Sequence, residues 1–401
     1  MDKSTRVLLY VFSILLTACL TFTVTAFVLT SRGVSYAGTL TAEPAESLDA
    51  ESKLKELRGI IDEYFIGEID EKVMTDALAA GMVEGLQDEW SLYLPAEEYG
   101  DYMETIQNSY VGIGVTITKD EQERGFLITD VTPESPAYRA GLETGDLLTG
   151  VNGASAVEIG MEETKNRVRG EEGTDVTLTV LHGDTEREVV ITRARIAVIN
   201  VVSEQLEGDV AYIKIKNFER NTAQDTVDAI EAALDSGAKG IVFDVRFNPG
   251  GLKNELVELL DYLLPEGPLF RSVDYSGYEY VDSSDPDCLD IPMAVLVNED
   301  SYSAAEFFAA ALQEYEAATI VGTQTYGKGY FQTVIPLSDG SAVNLSIGKY
   351  TTPQGKSLVG VGITPDRVVE VSDETYADIY YSRLAHADDE QLQEAIAAIT
   401  H

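Results

Sequence analysis

Histidine is scarce in this chain: three in 401 residues, at positions 182, 386 and 401. None lies in the central stretch that reads as the largest core, so a histidine base there would have to fold back from elsewhere. Cysteine is scarcer still. Cys19 and Cys288 stand apart, with no C-x-x-C pair and no zinc-type spacing, which leaves neither a disulfide framework nor a structural zinc site. Positive charge is short as well, 28 lysines and arginines against 69 acidic residues, for a formal net charge of −41. So acidic a surface repels nucleic acid and anionic lipid headgroups, and neither is expected as a partner.

What is present begins with a run of membrane length. Residues 7–30 carry no charge over 24 positions, enough for a helix across a bilayer. Lys3 and Arg6 precede the run and an acidic chain follows, so the positive-inside rule places the bulk of the protein outside the cytoplasm. The run exceeds the usual signal-peptide core of about 7–15 residues, which favours an uncleaved, single-pass membrane anchor. Cleavage near the small residues Ser35 and Ala37, or lipidation at Cys19, are the alternatives, and all three export the protein.

The length allows two or three domains beyond that segment. Residues 1–34 form the anchor or signal, and 35–50 a small, polar tether. Residues 51–109 read as a helical arm, with Leu54, Leu57, Ile60, Ile61, Tyr64 and Phe65 at helix spacing and "DALAAGMVEGL" as a second amphipathic stretch. Residues 110–197 change to short strands and glycine turns ("VGIGVTIT", "GFLITDV", "DVTLTVL", "REVVITRA") around a short helix, "SPAYRAGL". Residues 198–371 alternate buried strands and helices, which predicts an α/β core with crossover connections. Residues 372–401 are an acidic, partly helical tail that carries no evident chemistry.

Three short motifs inside the α/β stretch carry the chemistry. In "NEDSYSAAEFF", Ser303 precedes a helix with Ala304, Phe307, Phe308, Ala311, Leu312 and Tyr315 on one face. "SAAE" fits a capping box, and Ser303 as a plain cap is the ordinary reading. The same place suits a nucleophile, because the helix N-terminus offers free N–H groups and positive dipole character, and Ala304 and Ala305 leave room for a substrate carbonyl. With no core histidine, a buried lysine of lowered pKa is the candidate base. Lys328, between glycines in "TYGKGYFQ", stands out, although a solvated hairpin lysine is the usual meaning of such a motif. Residues 322–329 nearly spell a phosphate-binding loop, but Gly329 replaces the magnesium-binding hydroxyl and a strand follows in place of a helix, so no nucleotide is expected. Third, "DVRFNPGGL" leads from a strand to a helix, and Gly250 and Gly251 can expose backbone N–H groups as an oxyanion hole requires.

In their order, "PESPAYRAGLETGDLLTGVNG", "VRGEEGTDVTLTV", "DVRFNPGG", "VNEDSYSAAE", "YGKGYFQ" and "TTPQGKSLVGVGITPD" resemble the carboxyl-terminal processing peptidases, or tail-specific proteases, over residues 51–370. The resemblance implies a multi-domain α/β fold: a crotonase/ClpP-like protease core, an inserted β-rich PDZ domain and an N-terminal helical arm that pairs in dimeric members. It implies a serine–lysine dyad with Ser303 as nucleophile, Lys328 as base and Gln332 orienting the lysine. It also implies an oxyanion hole from the Ala304 N–H and one N–H of the Gly250–Gly251 pair. Val111, Gly112, Ile113, Gly114 and Val115 would then bind a substrate C-terminus, and Arg169 resembles an arginine that couples peptide binding to the active site. "SYS" departs from the family pattern by placing Tyr302 where alanine is common.

The expectation is an extracytoplasmic, bacterial serine endopeptidase that cleaves protein substrates near their C-termini without metal or cofactor, with a homodimer possible through the arm. Two rivals are a catalytically idle PDZ adaptor tethering exported proteins and, by fold analogy alone, a crotonase-type acyl-CoA enzyme. The export signal and the PDZ unit argue against the latter.

Overall fold

A computed structural model describes residues 49–400, apart from 121, 123 and 184. The apolar run, Cys19, the tether up to residue 48 and His401 lie outside the described residues. Among the described residues, no helix is long and apolar enough to cross a membrane.

The chain divides into two units, 1–74 and 75–401. In the first, α1 (Ala50–Tyr64) starts at Asp49, whose carboxylate accepts from the Ser52 N–H at 2.9 Å. Arg58 on α1 bonds both Asp62 and Glu71. The expected apolar stripe forms, but Leu54, Leu57, Ile60, Tyr64 and Phe65 are all exposed. Helix α2 (Glu71–Glu84) matches the second amphipathic stretch. The arm is not wholly helical, however. Residues 92–94 form a strand, β1 (Leu92–Leu94), before α3 (Ala96–Ile106), and β1 is captured by a long strand of the core, 250 residues later in the chain. Only that distant partner makes a strand of so short a segment.

The β-rich unit is an antiparallel sheet. It begins after β2 (Ser109–Gly112), with β3 (Val115–Lys119), β4 (Phe126–Val131), helix α4 (Pro136–Arg139), β5 (Leu147–Val151) and β6 (Ala154–Ser155). Helix α5 (Ala156–Val168), which strand-turn patterning did not reveal, breaks at Gly160 (φ 82°). β7 (Asp175–His182), β8 (Thr185–Thr192) and β9 (Ala194–Ala197) close the unit. The sheet runs β3-β4-β5-β7-β8, while β2 pairs with β9 as a separate ribbon where the chain enters and leaves. Ile128, Val151, Val176, Leu178 and Val180 are fully buried inside it.

The α/β region follows: β10 (Val201–Leu206), β11 (Val210–Ile215), α6 (Thr222–Asp235), β12 (Gly240–Asp244), α7 (Lys253–Leu263), β13 (Gly267–Asp274), β14 (Glu279–Ser284), β15 (Met293–Val297), α8 (Ala304–Glu314), β16 (Ala318–Gly322), β17 (Tyr330–Pro336), β18 (Ala342–Thr351) and β19 (Arg367–Val368). The main sheet, β10-β11-β12-β15-β16-β19, is parallel apart from β10. Its inner strands are buried on both faces, which is why β15 reads as five consecutive apolar residues. One face presents Ile213, Phe243, Val295 and Ile320 to a core that includes residues of α6, α7 and α8. The other presents Tyr212, Val242, Leu296 and Val321 to Leu392 and Ala395 of the tail. A second, antiparallel sheet carries β1, β13, β14, β17 and β18.

The tail is therefore structural. Helices α9 (Asp373–Tyr380) and α10 (Glu390–Ile399) follow one another, and α10 covers the second face of the main sheet. The guanidinium of Arg246, just past β12, is buried between Asp244 (2.7 Å) and Asp389 (2.8 Å), with Gln391 as a further partner at 3.0 Å. Asp389 also caps α10 through the Leu392 N–H. Removing one member of a buried pair strands the other charge. Asp389→Ala should cost about 3–5 kcal/mol in urea unfolding, against under about 0.5 kcal/mol for the exposed neighbour Asp388→Ala.

Candidate active site

Strand β15 ends at Val297 and delivers residues 298–303 to the carboxyl end of the main sheet's parallel strands. Ser301 is fully buried there, its hydroxyl donating to the Val245 carbonyl at 2.7 Å and accepting from the Asn298 N–H at 3.0 Å. It is a brace, with no free hydroxyl. Two residues on, Ser303 holds φ 60° and ψ −123°, a backbone that costs a residue with a Cβ roughly 1–3 kcal/mol. The turn puts Ser303 at the head of α8, half-buried. Helix α8 is buried all round from Ala304 to Leu312, not only along the expected stripe. That makes it a central helix with both flanks packed.

One carboxylate sits on this helix where every neighbour is apolar. Glu306 is fully buried and accepts four hydrogen bonds: from the Ser303 N–H (3.1 Å), the Thr325 hydroxyl (2.6 Å), the Gly327 N–H (2.6 Å) and the Lys328 N–H (2.9 Å). Burial pushes its carboxyl up, against the pull of the four donors. The sequence suggested only the first of these bonds, as half of a capping box. The others tie the serine turn and the lysine loop to a single side chain.

The glycine turn meets the same serine. A Cβ on Gly250 would lie 2.7 Å from the Ser303 Cβ and 2.8 Å from the Ala304 nitrogen, so only glycine fits. The Gly250 N–H is already spent on Asn248 Oδ1 at 2.8 Å. Those of Gly251 and Ala304 have no hydrogen-bond partner among the described residues. Of the pair expected to supply an oxyanion donor, Gly251 is the one left open. Asn248, which the sequence did not single out, holds the turn: its carbonyl accepts from the Tyr302 N–H and its amide donates to the Ile215 carbonyl.

Lys328 lies in the loop between β16 and β17. Its flanking glycines serve close approach: a Cβ on Gly327 would meet the Val361 nitrogen at 2.9 Å, and one on Gly329 the Val359 side chain at 2.3 Å. The Tyr350 hydroxyl donates to the Lys328 carbonyl at 2.6 Å and lies beside the Ser303 hydroxyl. Burial pulls the Lys328 ammonium down to about 8, although Asp88, Glu306 and Glu89 oppose it. The side chain does not hydrogen-bond Ser303. Nζ lies 4.0 Å from the centre of the Trp90 ring. Gln332 is also turned away, donating to the Tyr330 carbonyl and to Ser346 Oγ, with no bond to the lysine amine. Trp90, Tyr302 and Tyr326 form a triangle of rings at this spot, with centroids 5.5–6.0 Å apart.

The remaining candidates separate. Val111 and Gly112 belong to the β2–β9 ribbon, paired with Arg195 and Ala194. Ile113 is buried, Gly114 turns the chain at φ 83°, and Val115 opens β3, the edge strand of its sheet. The five residues therefore form a ribbon end, a turn and a strand edge. Arg169 bonds Asp101 at 3.3 Å and lies over the Tyr110 ring, contacting neither Ser303 nor Lys328. His182 pairs with Asp146 in the β-rich unit. His386 packs a tilted ring against Tyr212 on the face that α10 covers, opposite α8, which the sequence did not anticipate.

Residues 209–369 match the model of Peptidase family S41, and residues 127–181 that of a PDZ domain. "Probable CtpA-like serine protease" of Staphylococcus aureus (strain N315) is 34% identical over 323 residues, 80% of this chain and 64% of that protein. The protein of the same description from Staphylococcus epidermidis is 34% identical over 76% of this chain and 62% of its own length. The chain thus spans just under two thirds of the curated relatives it matches. Among solved structures, "Photosystem II D1 C-terminal processing protease" is 26% identical over 79% of this chain and 86% of that one, with a TM-score of 0.46. The chain therefore carries a peptidase family S41 region over residues 209–369 and a PDZ domain over residues 127–181.

Proposed function

We propose that the protein is a serine endopeptidase of protein substrates that works by a Ser303–Lys328 dyad. The observation that carries this reading is the shared carboxylate of Glu306, which holds the strained serine and the loop of a low-pKa lysine together. In the reaction, the neutral Lys328 amine leaves Trp90, takes the Ser303 proton and later protonates the leaving amine. Oγ adds to the scissile carbonyl, and water then hydrolyses the acyl-enzyme. The Gly251 and Ala304 N–H groups would receive the oxyanion. Gln332 would orient the amine once it turns from Ser346. The core would be of the crotonase/ClpP-like kind that the family resemblance implies.

The PDZ domain would recruit the substrate C-terminus, with the turn at Ile113 and Gly114 taking the carboxylate and β3 accepting an added strand. Export by the N-terminal run would place this chemistry outside the cytoplasm, at the membrane. The exposed apolar stripe of α1 supports a homodimer through the arm.

The turned Lys328 and Gln332 favour one second reading, an idle PDZ adaptor. A fluorophosphonate probe separates the two, because only an activated serine is labelled. Labelling and peptide cleavage should both vanish in Ser303→Ala, fall by at least about 10³-fold in Lys328→Ala, and persist in His182→Ala. Normal turnover by Lys328→Ala would sink the dyad.

The base acts only when neutral, so kcat/KM should rise with pH to a plateau with a midpoint near 8, falling tenfold per unit below it. A flat profile from pH 6 to 9 would contradict a lysine base.

A further inference from the structure

The turn between α2 and β1, residues 85–91, carries the Trp90 ring on which Lys328 rests and so covers the lysine. Pairing of β1 with β18 fixes its far end, and the Trp90 carbonyl accepts from Asn344 at 3.3 Å. Within it, Asp88 Oδ2 accepts from Ser91 Oγ at 2.5 Å, and Ser91 Oγ accepts the Ser346 N–H at 3.0 Å. The Ser346 hydroxyl lies near Asp88 and accepts from Gln332 Nε2 at 3.1 Å. A line of hydrogen-bonded residues therefore runs from Gln332 through Ser346 and Ser91 to Asp88, while the next-but-one residue, Trp90, faces the ammonium.

We propose that Asp88 and Trp90 are positioning residues of the Lys328 base: the ring holds the ammonium in place, and the carboxylate supplies its field and anchors Gln332 through Ser346. The proposal rests on Lys328 being the base. A protonated amine is drawn to the negative face of an indole and a neutral one is not. Loss of the proton thus loosens the lysine from Trp90 at the moment it becomes able to accept one from Ser303. The charged groups facing Nζ are Asp88 and Glu89 on the turn and Glu306 on α8. Tyr302 and Tyr326 flank the Trp90 ring, Tyr326 reaching Glu89, and the Tyr350 hydroxyl lies on the Lys328 carbonyl. Burial drives the proton off, and the three carboxylates and the ring resist.

Asp88→Asn keeps the shape and removes the charge, and Trp90→Leu keeps the burial and removes the ring, so each lowers the pH at which Lys328 loses its proton. Trp90→Phe keeps a ring face and should stay near the parent. In the Ser303→Ala chain, acylation of Lys328 by acetic anhydride is followed against pH by peptide mass spectrometry, with circular dichroism checking the fold. The expected midpoint falls by roughly half a unit to one unit in Asp88→Asn and in Trp90→Leu. In chains that retain Ser303, the midpoint of kcat/KM should fall with it. Midpoints unmoved or raised in the near-isosteric Asp88→Asn and in a folded Trp90→Leu would overturn the proposal. Turnover that survives Lys328→Ala would instead remove the base itself, a failure read in a different variant.

Discussion

The arrangement depends on one buried carboxylate. Glu306 sits on the central helix with no arginine or lysine side chain bonded to it among the described residues, and its carboxylate is met by four donors from two loops. Charge-assisted hydrogen bonds of this kind are short and strong, and they are costly to leave half made in a low-dielectric interior. The carboxylate therefore fixes Ser303 at the head of α8 and the 325–328 backbone beside it. The positive φ at Ser303 is held because these bonds, and the close contact of Gly250, leave the turn no other conformation.

A second constraint comes from behind the sheet. The loop that carries Gly250 and Gly251 begins at Arg246, whose guanidinium is clamped between Asp244 and Asp389. The tail thus reaches the glycine turn through the strand end and not through solvent. Phe247, packed on Tyr376 and Tyr380, adds an apolar contact at the same place. The Tyr376 hydroxyl bonds Asp300, three residues before the serine. An acidic tail without chemistry of its own holds two loops of the site in register.

Rigidity and freedom are unequally shared. Backbone groups of the serine turn, glycine turn and lysine loop are locked, while the two long side chains are not yet aligned. Lys328 rests on an indole and Gln332 on a serine hydroxyl. Few bonds would have to change to bring them to Ser303, and none of them belongs to the main sheet.

Much of this was legible in the sequence. Continuous apolar runs such as residues 293–297 announced buried parallel strands, and the Gly-Gly turn, the glycine-flanked lysine and Ser303 were all visible as local motifs. The two serines differ in their surroundings, since Ser301 spends its hydroxyl on Val245 and Ser303 stands at the head of α8. Short-range patterning missed β1, α5 and the function of the tail, because a three-residue strand is made by its distant partner and a glycine-broken helix has little periodicity. It read Glu306 as a cap, and Asp88 and Trp90 not at all. Local sequence determines which residues are polar, apolar or turn-forming, since those are properties of neighbours along the chain. Which buried carboxylate gathers two loops, and which ring meets a lysine 238 positions away, is decided only when the chain folds and removes those groups from water.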